Sequence, residues 1–482
     1  MKNTSNKLIV LIIMIFSHQS LAASFTNFEK YLKNNIRTEG PGIAYIVTKQ
    51  GKTIYSGAYG MANIELSTPM STNSVFKLAS ITKQFTSAAI LILQEQGKMS
   101  IKDNIHKYIP NYPTEGHEIT IENLMSHTSG IARNFPDRRK LNKLRKSSTT
   151  VDEMLTLFAK EPMQFSPGEK MRYSNIGYVL LGKIIEVVSG QSYAEFIEIN
   201  IFKKLGMNDS QYDGLQIVPN RATGYHRTRY GYENADWVDS SWRYAAGGLV
   251  STVNDLALWY HSLASGKLIS LNSYRQMIEP FKLNDGRQSH YALGLNNFEI
   301  HKNKVIAHNG GTSGFSTSAV YFPEQDSYIA VLSNERPSDP QKLLLLLSAE
   351  MLGISYPEFK STKVENSQLK KMMGKYQIGQ DSVRRLFEEE GLVYSQRDDG
   401  LPYEVIPMSD NSFYFKGSLS YFVIEKDDND NQVMLYYSSL SEIPERAVKL
   451  WLLESWKGLN MVAIEQEEET LVMVRASLKN NF

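Results

Sequence analysis

The hydrophobic positions of this chain repeat with different periods along its length, and the changes of period mark its organisation. Residues 25–36 carry apolar side chains at helical spacing. Residues 42–49 and 53–59 read as strands joined through Gln50, Gly51 and Lys52 as a hairpin. Ala88, Ala89, Leu91, Ile92 and Leu93 predict a helix apolar enough to be a core element, with Gly97 placed to stop it. From about 84 to 290 the pattern is helical with long loops, clearest from Tyr178 to Val188 and closed by Ser189 and Gly190. Strands return at about 291–333, where 318–321 and 327–332 flank a turn, and a helix follows near 341–352. A strand pair, a helical insert, more strands and a closing helix predict an α+β or α/β core with a sheet flanked by helices.

Near Pro357 the texture changes, and residues 355–368 are polar, as a linker is. Beyond Leu369, short runs rich in Val, Tyr and Phe alternate with turns such as Asp398-Asp399-Gly400, which predicts an antiparallel β-barrel or sandwich. Residues 427–430 lack the ordered ligand spacing of a calcium loop and read as an exposed hairpin turn. At the other end, Lys2 and Lys7 introduce the apolar stretch 8–16, and Leu21-Ala22-Ala23 offers cleavage after Ala22 or Ala23. The expected organisation is a signal peptide over 1–23, a first domain over 24–354, a linker over 355–368 and a barrel domain over 369–482.

Composition narrows the function classes. With 482 residues, 42% hydrophobic and 21% charged, the chain can bury two or three ordinary cores. A net charge of +1 gives no reason to expect nucleic acid or an anionic membrane as partner. The absence of cysteine excludes disulfides, thiolate metal sites and a lipid-modified N-terminal cysteine. No later segment reaches membrane-spanning length, so the expectation is a periplasmic or secreted protein without an integral membrane segment after signal cleavage.

The candidate chemistry begins at Ser80-Ile81-Thr82-Lys83, where an apolar approach runs into the core helix. Serine at the first turn and lysine three residues on share one helical face. A lysine whose pKa is lowered by burial can take the proton of a serine nucleophile. Ser74 with Lys77 and Ser367 with Lys370 repeat the spacing without that context. Two further elements add weight. Tyr173-Ser174-Asn175 is a Tyr-x-Asn entering the 178–188 helix, repeated less tellingly at Tyr232 and Asn234. His308-Asn309-Gly310-Gly311 is glycine-rich, so its backbone can approach a ligand closely. The histidines form no metal-ligand pair, and no Gly-x-Ser-x-Gly elbow is present.

This ordered set resembles the penicillin-recognising serine hydrolases, in the branch of class C β-lactamases, serine D,D-peptidases, D-aminopeptidases and related esterases. The blocks from Glu122 to Ile131, Ile201 to Met207, Ala246 to Leu256 and Tyr291 to Gly294 are similar too, so the resemblance covers roughly 25–353. It implies a β-lactamase/transpeptidase-like fold, with an antiparallel sheet flanked by helices and a helical lobe. The segment after 367 resembles, more loosely, a small lipocalin-like barrel.

The resemblance implies that Ser80 is the nucleophile, Lys83 or Tyr173 the base, and the backbone N–H groups of Ser80 and Gly311 the oxyanion hole. Asn175, His308 and Gly310 would face the substrate, and His127 would shape a turn beside the site. No cofactor and no metal are implied. The chain departs from the family's Lys-Thr-Gly by carrying His308-Asn309-Gly310, which favours a D-amino-acid peptide or an ester over a β-lactam as substrate. A non-catalytic penicillin-binding or sensor protein is the alternative of another class, and oligomeric state is left open.

Overall fold

Six strands form the sheet on which the site is built: β1 (Ile43–Lys49), β2 (Lys52–Tyr59), β3 (Asn296–Ile300), β4 (Asn303–Thr312), β5 (Phe315–Phe322) and β6 (Ser327–Ser333). In the computed structural model they run in the order β3-β4-β5-β6-β1-β2, every neighbouring pair antiparallel. The described residues are 25–450, apart from 133–137, 229, 337, 339, 355–358, 380–381, 399, 401, 417–419 and 438–443, together with 463–464 and 472–473. The expected signal peptide over 1–23 lies outside them.

The β1–β2 hairpin turns through Gln50 (φ 51°) and Gly51 (φ 71°), both left-handed as a two-residue hairpin turn requires. β1 is buried along six of its seven residues, and its two faces serve two cores. Ile43, Tyr45 and Val47 pack on an outer helical layer, while Ala44 and Ile46 face the helical lobe.

Of the helices in this part, five frame the sheet and the site: α1 (Thr26–Asn35), α2 (Thr82–Glu95), α3 (Asn175–Ser189), α4 (Val253–Ala264) and α5 (Pro340–Leu352). Phe28 and Leu32 of α1 and Leu343, Leu344 and Leu347 of α5 cover the outer face. α2 is the axis of the lobe, with every residue from Thr82 to Leu93 buried. Phe85 stacks on Trp259 of α4 at 4.0 Å between ring centroids. The polar residues of α2 are satisfied within the core. Trp259 Nε1 donates to Gln84 Oε1 at 2.7 Å, Thr86 Oγ1 donates to the Ala245 carbonyl at 2.7 Å, and Ser87 Oγ meets Tyr178 Oη at 3.2 Å. α3 stops where expected, at Gly190 in the left-handed region with φ 72°.

Eight further strands, from Gly374–Ile378 to Glu445–Lys449, close into a barrel whose last strand pairs with its first. Its interior is filled by Tyr376, Leu386, Phe413, Phe422 and Met434. Val364, within the segment expected as linker, joins that core, and Asn366–Met372 is helical. Residues 427–430 form a hairpin turn, in which the Asp427 carboxylate accepts the N–H groups of Asn429 and Asn431. No helix among the described residues is long and apolar enough to cross a membrane.

Two substitutions separate packing from backbone strain. Phe85→Ala should lower the stability of the helical lobe by about 3–5 kcal/mol in urea unfolding. Gly190→Ala, where an added Cβ meets nothing within 4 Å, should cost only the left-handed backbone penalty, about 1 kcal/mol.

Candidate active site

Ser80 sits on the tight helical turn Ala79–Ile81, between the short strand Phe76–Lys77 and α2. The residue before it, Ala79, is left-handed with φ 49°. That conformation costs an alanine on the order of 1 kcal/mol. The flanking chain is pinned on both sides. Leu78 N donates to the Leu249 carbonyl at 2.9 Å, and the Leu78 carbonyl accepts from Thr317 Oγ1 of β5 at 3.1 Å. Ser80 is half-buried, whereas Lys83, one turn further, has no solvent exposure at all.

Lys83 is buried among three polar neighbours. Nζ lies 2.8 Å from Asn175 Oδ1, 2.6 Å from the Ala246 carbonyl oxygen and 3.2 Å from Ser80 Oγ. The first two atoms can only accept, and together they consume both protons of a neutral amine. The third neighbour is the Ser80 hydroxyl, which accepts from a charged Nζ and donates to a neutral one. No carboxylate offsets the burial, so desolvation holds the Lys83 pKa well below the usual lysine range. A neutral amine facing a serine hydroxyl is a base in position.

Tyr173 and Asn175 arrive together at the start of α3. The Tyr173 ring is half-buried, with Lys83 Nζ 4.9 Å from its centroid, and Asn175 is exposed to the cleft. His127 holds this entry. Its carbonyl accepts from Arg172 N at 2.9 Å, its Nδ1 accepts from Ser174 N at 3.2 Å, and its ring lies 4.1 Å from that of Tyr173. These contacts tie the turn at His127 to the entry of α3.

β4 supplies the opposite wall. A Cβ on Gly310 would collide with the Leu78 carbonyl and come within 3.1 Å of Ser80 N, so only glycine lets the strand come this close to the nucleophile. His308 does not offer its ring as a cation. Its Nδ1 donates to the Asn309 carbonyl at 2.6 Å, and its Nε2 accepts from Tyr291 Oη at 2.9 Å. Burial pushes its pKa down to about 3. Tyr291, fully buried with its pKa raised by burial, stays protonated and donates.

The structure thus brings Ser80, Lys83, Tyr173, Asn175, His308, Gly310 and Gly311 around one point. It separates the look-alikes. Ser74 accepts from Ser71 N, and Lys77 reaches Asp213 at 3.7 Å. Tyr232 packs against Gly40, away from Lys83. A cavity of about 780 Å³ lined by Tyr31, Arg227, Arg384 and Tyr436 has none of the seven residues in its wall.

Sequence reasoning gave no role to Ala246, whose contribution is a backbone carbonyl, or to Asp213. The Asp213 carboxylate, almost fully buried, meets Arg221 at 2.6 Å and Arg243 at 3.1 Å as well as Lys77. It ties the strand before Ser80 to the turn Tyr244–Gly247, which carries the Ala246 carbonyl. Desolvation and the two guanidinium groups bring the Lys77 amine down to about 8, although Asp213 opposes them.

Comparison with known proteins gives the family of this fold. The chain is 27% identical to penicillin-binding protein 4* of Bacillus subtilis over 425 residues, covering 81% of this chain and 92% of that one. Its fold superposes on the octameric penicillin-binding protein homologue of Pyrococcus abyssi with a TM-score of 0.64 at 24% identity, over 88% and 99% of the two chains. On the D-amino acid amidase of Ochrobactrum anthropi the TM-score is 0.61 at 21% identity, over 68% and 99%. The family described as Beta-lactamase matches residues 26–349. The chain therefore belongs to the Beta-lactamase family of serine hydrolases, and a penicillin-binding protein is among its relatives.

Proposed function

We propose that this protein is an exported serine hydrolase that cleaves an amide or ester bond through an acyl-Ser80 intermediate. The observation that carries this reading is the fully buried Lys83 amine, its pKa held well below the usual lysine range, 3.2 Å from Ser80 Oγ. Ser80 Oγ attacks the acyl carbonyl as its proton passes to Lys83 Nζ. The carbonyl oxygen takes up negative charge between the N–H groups of Ser80 and Gly311. The proton then passes to the departing amine or alcohol, and the acyl-enzyme remains. A water, deprotonated by Lys83 or Tyr173, releases the acid and regenerates Ser80. Asn175 orients Lys83 and meets the substrate carbonyl.

The likeness to penicillin-binding proteins and to a D-amino acid amidase supports a D-amino-acid peptide, amide or ester as substrate. The neutral His308, standing where β-lactamases of this class carry lysine, favours that over efficient β-lactam hydrolysis.

Ser80→Ala should abolish fluorophosphonate labelling and lower turnover of acyl substrates at least about a thousandfold. Intact-mass spectrometry reads the first and steady-state kinetics the second, and unchanged turnover would sink the mechanism. The labelling rate of the wild type should fall as pH drops through the depressed pKa of Lys83, because the protonated amine accepts nothing. His308 is already neutral well below this range, so His308→Gln should leave the shape of that profile unchanged between pH 5.5 and 8. A new inflection there would assign it a titrating role. Export predicts a mature protein recovered from the periplasm or medium whose N-terminus is Ala23 or Ser24, readable by N-terminal sequencing.

A further inference from the structure

The cavity of about 780 Å³ that shares no wall residue with the Ser80 site has a chemistry of its own. One wall comes from the six-stranded sheet and its outer helices: Ile36 at the end of α1, Ile43 at the start of β1 and Leu343 of α5. The other comes from the barrel, where Arg384, Phe415 and Tyr436 stand. Each of these three lies two positions along its strand from a residue of the barrel core: Leu386, Phe413 and Met434. Residues two apart share a strand face, so the three form the layer above a filled interior. The open room therefore lies between the mouth of the barrel and the sheet, outside the barrel itself. Its volume is that of a small-molecule pocket, and apart from Arg384 these wall residues are apolar or aromatic.

Arg384 is 6% exposed, yet it has no carboxylate to itself. Its Nη2 reaches Glu445 Oε1 at 3.4 Å, while the other oxygen of Glu445 takes a 2.9 Å bond from Arg397 Nη1. Arg384 Nη1 reaches Ser395 Oγ, also at 3.4 Å, and its Nε donates to nothing among the described residues. The guanidinium lies over the Tyr436 ring, 4.2 Å from the centroid, and 5.9 Å from that of Phe415. The other cations of the cavity are paired. Arg227 is engaged by Glu335, Lys416 by Glu404, and Arg397 has Asp398 at 3.9 Å besides Glu445. A buried cation with a shared counter-charge and a buried donor without an acceptor both cost free energy, which an added anion would recover.

We propose that this cavity binds a monocarboxylate with an apolar body, its head paired with the Arg384 guanidinium and its body lying against Ile36, Ile43, Leu343 and Phe415. A planar carboxylate matches the planar fork of arginine. Glu445, already drawn towards Arg384, repels a second negative charge and so selects against a dianion such as a phosphate monoester. The ligand would touch both the barrel and the sheet, and so would tie the two together. The site needs no acyl-enzyme, and it stands whether or not Ser80 is the nucleophile.

The probes are decanoate and decan-1-ol, titrated calorimetrically against the full mature chain at concentrations below micelle formation. Wild type should bind one decanoate per chain, roughly tenfold or more tighter than the alcohol. Arg384→Gln should remove that preference and leave the affinity for decanol unchanged, and Arg384→Lys should restore part of it. Ile36→Trp, which narrows the cavity from the wall opposite the barrel, should weaken both probes while leaving Arg384 in place. A cooperative unfolding transition in each variant separates loss of the site from loss of the fold. Saturating decanoate should not slow fluorophosphonate labelling of Ser80. No decanoate binding by the wild type, equal affinity for the two probes, or a preference that survives Arg384→Gln would each overturn the assignment. So would binding untouched by Ile36→Trp, or decanoate that blocks the labelling of Ser80, since both would place the ligand elsewhere.

Discussion

The rest of the site depends on an amine buried without a counter-charge. An ammonium in that position would cost several kcal/mol of desolvation with no carboxylate to offset it. The protein instead provides two acceptors and one hydroxyl for a neutral amine. The architecture around Lys83 follows from keeping that arrangement dry and rigid. α2 is submerged along twelve residues, its polar side chains each find a partner inside the lobe, and aromatic rings of Tyr173 and Tyr178 face the amine.

Rigidity has a second source in the strained turn before the nucleophile. Ala79 stays left-handed because Leu78 is bonded on one side to Leu249 and on the other to Thr317 of the sheet. Strain of that kind persists only where the surroundings over-determine it. Here the sheet, the 244–247 turn and the Asp213 ion cluster do so together. The nucleophile is thereby held where two layers of the fold meet.

Much of this was legible in the sequence because the signals were periodic or chemically unusual. The strands, the core helix and the Gly190 stop follow from apolar spacing and from the few residues that tolerate a left-handed backbone. Ser80, Lys83, Tyr173 and Asn175 were visible as motifs, and only their context distinguished them from Ser74 with Lys77 or from Tyr232 with Asn234. Contributions made by main chain or by single unpatterned side chains were not legible. The Ala246 carbonyl has no side-chain signature, and Asp213 is one acid among many. The neutrality of His308 was equally hidden, because it follows from burial and from Tyr291, seventeen positions earlier in the chain.

The Ala246 carbonyl has a consequence for how this enzyme can change over evolutionary time. One of the two acceptors that hold the Lys83 amine in place is an atom every amino acid possesses, so no point substitution at position 246 can delete it. The base is therefore protected against direct loss on that side and vulnerable only to displacement of the turn. Inactivating drift should collect in residues that carry no chemistry themselves, those that fix where the backbone of the 244–247 turn runs.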